Sequence, residues 1–446
     1  MILSPGFKKY FANTSWLMAE RVLRMVVALF VGVYVARYLG PERFGLLSYA
    51  NSFVGLFIAL ATLGLDGIVV RELVKTPARR DELLGTAFGL KIVGAILMWL
   101  VIITAVPLTE NDVQTNSLIA IIAFAAIFQA FNVIDFNYQA EVKSKYVVHA
   151  QLVQLTISSI TKLVLIAINA SLIWFAWVYC LDAVVFAVGL SVMYLRKSGK
   201  LWCWQWKWQV AGELLMDSWP LILSGIVITI NMRVDQVMLK ELVNSKEVGL
   251  YAAAVNLSQG LYMLPMIFAK SFYPKFINLY NSNKDKFYSF VQNFSSFLTI
   301  IAMILSIVIS LYSKSIIDLL YGDSYAQAAL ILSIHVWTLI IVFMEVAFGR
   351  WLLIENKQKF TAYRNFSIAL VNIILNYYLI PLYGAIGAAV ASLLSIFIGY
   401  YLFFSLFMET RKIFVLQTKA ILLLGIPTTI IKWFFELKKL RKIDIK

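Results

Sequence analysis

Twelve mainly apolar runs divided by short polar stretches make up most of the chain: 15–38, 44–65, 83–105, 117–138, 147–168, 172–195, 214–240, 248–274, 290–312, 326–354, 362–380 and 384–407. Each is about 20 residues or a little more, the length at which a helix crosses a hydrocarbon core about 30 Å thick. The pattern predicts an all-α polytopic membrane protein of about twelve transmembrane helices. No connection between runs is large enough to fold as a domain outside the membrane. The first run is of full span length and lacks a small-residue cleavage site, so it reads as a retained helix. A thirteenth run, 420–435, is short and carries Pro427 and Lys432. A crossing there would put Lys438, Lys439, Arg441 and Lys442 on the side poor in cations, so an interfacial or re-entrant segment is expected.

The polar stretches alternate in charge. With the N-terminus in the cytoplasm, the cytoplasmic connections are basic: Arg71, Lys75, Arg79 and Arg80; Lys143 and Lys145; Arg196, Lys197, Lys200 and Lys207; Lys275, Lys284 and Lys286; Lys357, Lys359 and Arg364. Only Arg37, Arg43, Lys240, Lys246 and Lys314 fall in the opposite loops, which also hold acidic stretches such as Thr109-Glu110-Asn111-Asp112. By the positive-inside rule both termini are expected in the cytoplasm.

Composition agrees. At 61% hydrophobic and 14% charged residues over 446 positions, a soluble globular reading fails, because soluble domains carry about 25% charge. The net charge of +15 gathers on one side of the spans, which suits anionic lipid headgroups rather than nucleic acid. Cys180 and Cys203 offer neither a disulfide framework nor a metal site, and His149 and His335 are too far apart for a zinc motif. No catalytic constellation, metal site or cofactor is expected, and no G-x-x-x-x-G-K-[ST] loop is present for ATP. In the middle connection, Trp202, Trp204, Trp206 and Trp208 alternate around Lys207. They read as an aromatic belt at headgroup level, with a stacking platform for a sugar or base as the alternative.

The middle connection divides the spans six and six. The chain is accordingly parsed as an N-terminal lobe over 1–195, a linker over 196–213, a second lobe over 214–407 and a basic cytoplasmic tail over 408–446. An internal echo supports the division. Tyr38 to Ala50, between the first two spans, aligns with Val243 to Ala254 between the seventh and eighth: Gly45 with Gly249, Leu46 with Leu250, Ala50 with Ala254. Ser15-Trp16 and Ser218-Trp219 head the corresponding spans. Six spans return the chain to its starting side, so the two halves share one orientation, as in transporters built from parallel repeats that alternate access around a site between them.

The stretch Tyr38-Leu39-Gly40-Pro41-Glu42-Arg43-Phe44-Gly45, then Gly64-Leu65-Asp66-Gly67 and Arg71-Glu72, resembles the first two spans of bacterial polysaccharide-export flippases. These belong to the multidrug/oligosaccharidyl-lipid/polysaccharide exporter superfamily, and the O-antigen flippases are the group most resembled. Glu247 to Ala254, Tyr321-Gly322-Asp323-Ser324-Tyr325 and Pro381 to Ala389 are similar to later junctions of that family, and the resemblance covers about residues 10–405. It implies two six-helix lobes in a V, alternating access, and transfer of an undecaprenyl-diphosphate-linked oligosaccharide to the outer leaflet of the bacterial inner membrane. The lipid bilayer is the other partner implied, with a polysaccharide polymerase and its chain-length machinery as possible further ones.

Seven cations lie within spans: Arg21, Arg24, Lys91, Lys162, Arg233, Lys270 and Arg350. A charge at the bilayer centre costs about 2.5–3.5 kcal/mol, so each needs a cavity or a partner. Arg21 is near enough to the span end to snorkel. Arg24, Lys91, Lys162, Arg233, Lys270 and Arg350 are the candidates for binding an anionic substrate, whose diphosphate suits Arg and Lys. Pairing competes with that role: Glu20 and Arg24 are i,i+4 neighbours, and Asp135, Asp182, Asp217, Asp235 and Glu345 are available across helices. Asp182, Glu345 and Asp235 are candidates for coupling transport to H⁺ or Na⁺. His335 reads as a packed polar group. Pro220 and Pro265 are expected to kink their spans. Gly85 and Gly89, and Gly384, Gly387, Ala388 and Ala391, are expected to let helices approach closely. The competing functions are a cation-coupled multidrug exporter, disfavoured by the excess of deep cations, and a membrane polysaccharide polymerase, disfavoured by the short outer loops.

Overall fold

The structure, a computed structural model, describes residues 5–422 apart from 198 and 200; the apolar run expected at 420–435 lies almost wholly outside the described residues. Those residues form helices α1 Pro5–Thr62, α2 Leu65–Lys75, α3 Arg80–Ala105, α4 Val113–Phe124, α5 Val133–Ala140, α6 Lys145–Ala167, α7 Leu172–Lys197, α8 Trp208–Leu242 and α9 Ser245–Gly260. There follow α10 Met263–Ser282, α11 Lys284–Leu311, α12 Ser313–Leu320, α13 Ala328–His335, α14 Thr338–Ile354, α15 Gln358–Tyr400 and α16 Arg411–Ile421, with no strand among them. Among the described residues, ten helical stretches are long and apolar enough to cross a membrane.

Two of the ten serve as two spans each. Helix α1 has 58 residues, about 87 Å at 1.5 Å per residue, far more than one crossing needs. It bends at Gly40, where φ is +70° and ψ 168°, a conformation a Cβ would oppose. Pro41 then occupies the first turn of the second arm, where its missing N–H costs nothing. Helix α15, 43 residues long, repeats the device at Gly384 (φ +55°, ψ −134°). Gly387 lies against the Leu379 carbonyl just across that bend. The small residues at 384 and 387 therefore make a sharp corner within one chain segment. The ten stretches thus accommodate the twelve spans read from the apolar runs.

Proline acts unequally. Pro220 sits inside α8, whose helical run continues across it from Trp208 to Leu242. The eighth span is interrupted at Leu261 and Tyr262, and Pro265 falls in the first turn of α10. The fourth span also departs from regular helix: between α4 and α5 the backbone tightens to a 3₁₀ helix over Ala125–Asn132.

Contacts divide the described residues into two compact units, one up to residue 249 and one from residue 250 onward. Helix α8 thus belongs by packing to the same unit as the first six spans. The linker parsed at 196–213 marks the halves of the sequence echo, which is a different quantity from contact density. The first unit buries Leu65, Val69, Leu84, Val133, Tyr194 and Leu214 in a common core. The second is built around Phe276, Phe294, Leu339, Phe348 and Trp351.

The echo has a physical counterpart inside the first unit. Gly45 abuts the backbone of Ser245 and Gly249, and Gly249 abuts that of Pro41 and Gly45. The contacts are reciprocal in the register of the aligned sequences, as at an interface between like surfaces. Any side chain at either glycine would overlap backbone.

Gly85 and Gly89 serve a different purpose from the helix packing expected of them. A Cβ on Gly85 would lie 2.5 Å from the Gln205 amide nitrogen, and one on Gly89 would lie 2.6 Å from the Trp206 ring. They form a seat for the middle connection, which folds as a strap over α3. The Gln205 N–H donates to the Asp81 carbonyl (3.1 Å). Thr86 donates to the Gln205 carbonyl at 3.4 Å and accepts from the Lys207 N–H at 3.1 Å. Trp204 packs between Phe88 and Tyr194 and donates to the Tyr194 hydroxyl at 3.1 Å, while Trp202 and Trp208 are 85% and 81% exposed.

Candidate functional site

The first unit holds a partly open cavity of about 530 Å³, and regular helical spacing builds its walls. The second arm of α1 supplies Asn51, Val54, Gly55 and Ile58; α7 supplies Tyr179, Asp182, Ala183 and Phe186; α8 supplies Thr229, Met232 and Arg233. Steps of three and four residues put each set on one helix face. The 3₁₀ stretch contributes Phe128, Gln129 and Asn132, and α6 adds Gln154. Tight 3₁₀ winding within a span often marks a functional position. All of these residues lie well inside the apolar runs.

Polar contacts fix α8 against α1 along one wall. The Tyr49 hydroxyl donates to Glu241 at 2.5 Å, Ser52 to Gln236 at 2.8 Å, and Thr229 to the Leu56 carbonyl at 3.2 Å. Between these ties Gly55 leaves room for Arg233: a Cβ at 55 would lie 3.3 Å from both Cγ and Nε of the arginine.

The predicted charged residues separate into paired and unpaired groups. Arg24 meets Glu20 at 2.6 Å, the i,i+4 pair expected, and also reaches Gln154 at 3.5 Å. Lys91 is only 2% exposed; it meets Asp66 at 3.1 Å and lies 4.7 Å from the Phe136 ring centre. Lys162 stands 3.9 Å from Asp182, whose other oxygen, Oδ1, is buried and accepts no hydrogen bond from the described residues. Arg233 has no carboxylate within 4.0 Å among the described residues. It is the cavity's uncompensated charge. Asp235, two residues on, is buried beside Gln236 and does not line the cavity.

Three candidates belong to the second unit. Lys270 is exposed on α10, and Arg350 stacks over the Tyr273 ring at 5.2 Å. Glu345 pairs closely with Arg364, which is 4% exposed and lies 4.4 Å from the Tyr400 ring centre. The placement of Arg364 in a basic loop is therefore corrected: α15 starts at Gln358, and its first turns already carry Arg364 into the packed interior. Asp217 finds its partner across helices, as expected, but at the surface. It is exposed and pairs with Arg71, near the Arg79–Glu213 and Lys207–Glu82 pairs. His335 is packed as expected, its Nδ1 2.8 Å from the Ser258 hydroxyl and its ring edge-on to Tyr251. No group of His, Cys, Asp or Glu suited to a metal ion occurs among the described residues.

The profile of the polysaccharide biosynthesis protein family matches residues 10–280, more than half of the sequence. The chain belongs to that family. A second profile, MatE, matches residues 220–378. The capsular polysaccharide biosynthesis protein CapF of Staphylococcus aureus is 25% identical over 202 residues, covering 43% of this chain and 50% of the relative. The match thus spans about half the length of that curated relative. Among solved structures, the lipid II flippase MurJ in an inward closed conformation superposes with a TM-score of 0.69 at 14% identity, covering 93% of this chain and 92% of that one. An inward-facing multidrug resistance transporter of the MATE family gives 0.67 at 14% identity, covering 89% and 96%. At such identities the likeness is one of fold: an all-α, polytopic membrane fold.

Proposed function

We propose that this chain is a flippase that moves an undecaprenyl-diphosphate-linked oligosaccharide from the inner to the outer leaflet of the cytoplasmic membrane. The observation that carries the reading is the cavity within the spans of the first unit. Its primary amides and rings suit the hydroxyls and C–H faces of a sugar, and its uncompensated cation, Arg233, repels the cationic compounds a multidrug exporter would carry. Family membership and the capsular polysaccharide relative support the same class of cargo. Exposure of the cavity to each side of the membrane in turn would pass the polar glycan while the lipid tail stays in the bilayer. Asp182, which lines the cavity and faces Lys162, is the carboxylate we assign to H⁺ or Na⁺ coupling.

The test is an extraction of polyprenyl-linked saccharides from a strain lacking the protein, analysed by mass spectrometry against its parent. Accumulation of one complete repeat unit, reversed by the wild-type chain and not by Arg233→Gln, is the expected result. Unchanged saccharide pools together with new sensitivity to cationic dyes would replace this reading with that of a multidrug exporter.

A further inference from the structure

We infer that the cavity of the first unit selects a sugar residue carrying one carboxylate, and that Arg233 is the group that reads it. The inference rests on the glycan-carrier reading above and narrows it.

Charge balance comes first. Of the three cations in or beside the cavity, Arg24 is held by Glu20 at 2.6 Å and Lys162 faces Asp182 at 3.9 Å. Arg233 is left over, its stem lodged over Gly55. A ligand with one negative charge neutralises this arrangement. A diphosphate brings more charge than one guanidinium offsets, and Asp182, which lines the same cavity from α7, opposes the excess. A neutral sugar would displace water from Arg233 without replacing its counter-charge, which is costly in an apolar span. A carboxylate also fits the fork of an arginine with two parallel hydrogen bonds.

The rest of the wall has the chemistry of a neutral, hydroxylated ligand. Asn51, Gln129, Asn132 and Gln154 each present a donor and an acceptor, and Tyr179 and Phe186 present ring faces. At about 530 Å³ the space lies in the range of small-ligand sites, so it would hold a short piece of a glycan rather than a whole repeat unit. The acidic sugar would be read here, while the diphosphate travels elsewhere with its lipid.

The full chain in lipid nanodiscs provides the test, with binding followed by the change in thermal unfolding midpoint. The probes are a disaccharide containing glucuronic acid, the matching neutral disaccharide and inorganic pyrophosphate. Half-saturation by the acidic disaccharide at a concentration at least about tenfold lower than by the neutral one, corresponding to roughly 1.4 kcal/mol, is expected. Arg233→Gln should erase the difference, and Arg233→Lys, which keeps the charge but not the fork, should retain part of it. The wild-type comparison stands even if the glutamine variant does not fold. Equal binding of both saccharides would overturn acid selection and leave the glycan reading intact. Strongest binding by pyrophosphate, lost in Arg233→Gln, would make this a phosphate site instead. Failure of both saccharides to bind, with binding of a lipophilic cationic dye, would remove both readings together.

Discussion

Arg364 takes its meaning from the residue it faces. Its guanidinium is buried against Glu345 and the Tyr400 ring, so deleting the cation alone strands a carboxylate in the packed interior. Arg364→Leu should destabilise the protein by about 3–5 kcal/mol, whereas Arg364→Leu combined with Glu345→Leu should recover most of that loss, because two apolar side chains carry no desolvation penalty. Unfolding midpoints of the single and double variants in detergent decide the matter; a double variant no better than the single would mean the pair is not the source of the stability. The sequence could reveal the Glu20–Arg24 pair, because i,i+4 neighbours on a helix meet whatever surrounds them. It could not reveal Arg364–Glu345, Lys91–Asp66 or Lys162–Asp182. Those depend on how helices cross, and the apolar residues between the partners carry no trace of it. Arg233 is readable as a cation within a span, but its lack of a carboxylate partner is visible only once every nearby carboxylate is placed.

At the scale of elements, spans were legible because hydrocarbon thickness imposes a length on each apolar run. Corners were less so. Gly40-Pro41 falls between the first two predicted spans and Gly384 at the head of the twelfth, yet the backbone passes through each with one distorted residue. Gly85 and Gly89 carried the spacing of a helix-packing motif, and spacing alone cannot say whether a helix or a loop fills the groove. Here a loop does, and the strap it forms can be tested. In Gly85→Val the side chain would meet the Gln205 backbone, for which no rotamer change can compensate. The strap should lift, exposing the bond after Lys207 to trypsin and shifting the emission of Trp204 to longer wavelength as it leaves Phe88 and Tyr194. Cleavage at the wild-type rate would show that the strap is held by its other ties, such as Lys207 to Glu82 at 3.3 Å. The 3₁₀ stretch of the fourth span gave no comparable signal. Its residues, Ala125–Asn132, are ordinary helix formers and amides.

For the whole molecule, many large apolar side chains lie on the surface, among them Phe30, Leu100, Ile160, Leu163, Ile304 and Leu370. Lipid solvates such a surface as readily as a protein core does, so burial no longer separates apolar from polar positions and inside–outside patterning along each helix is weak. Charge has to orient the chain instead. The native cysteines allow that orientation to be measured without building new sites. Cys180 is buried within α7, its thiol 3.0 Å from the Ile121 carbonyl, while Cys203 is exposed in the strap among the basic connections. If those connections face the cytoplasm, a membrane-impermeant maleimide should label the protein in inverted membrane vesicles and not in intact cells. Cys203→Ser should abolish the labelling. Thr109→Cys in that background, placed beside Glu110 and Asp112 on the opposite side of the third span, should reverse it, with labelling in intact cells alone. Labelling of wild-type Cys203 from outside would invert the topology and with it the direction in which the cavity must deliver its cargo. Labelling from both sides would mean that the population inserts in both orientations, and that the surplus of Lys and Arg is too largely cancelled by pairs such as Arg71–Asp217 and Arg79–Glu213 to set a single one.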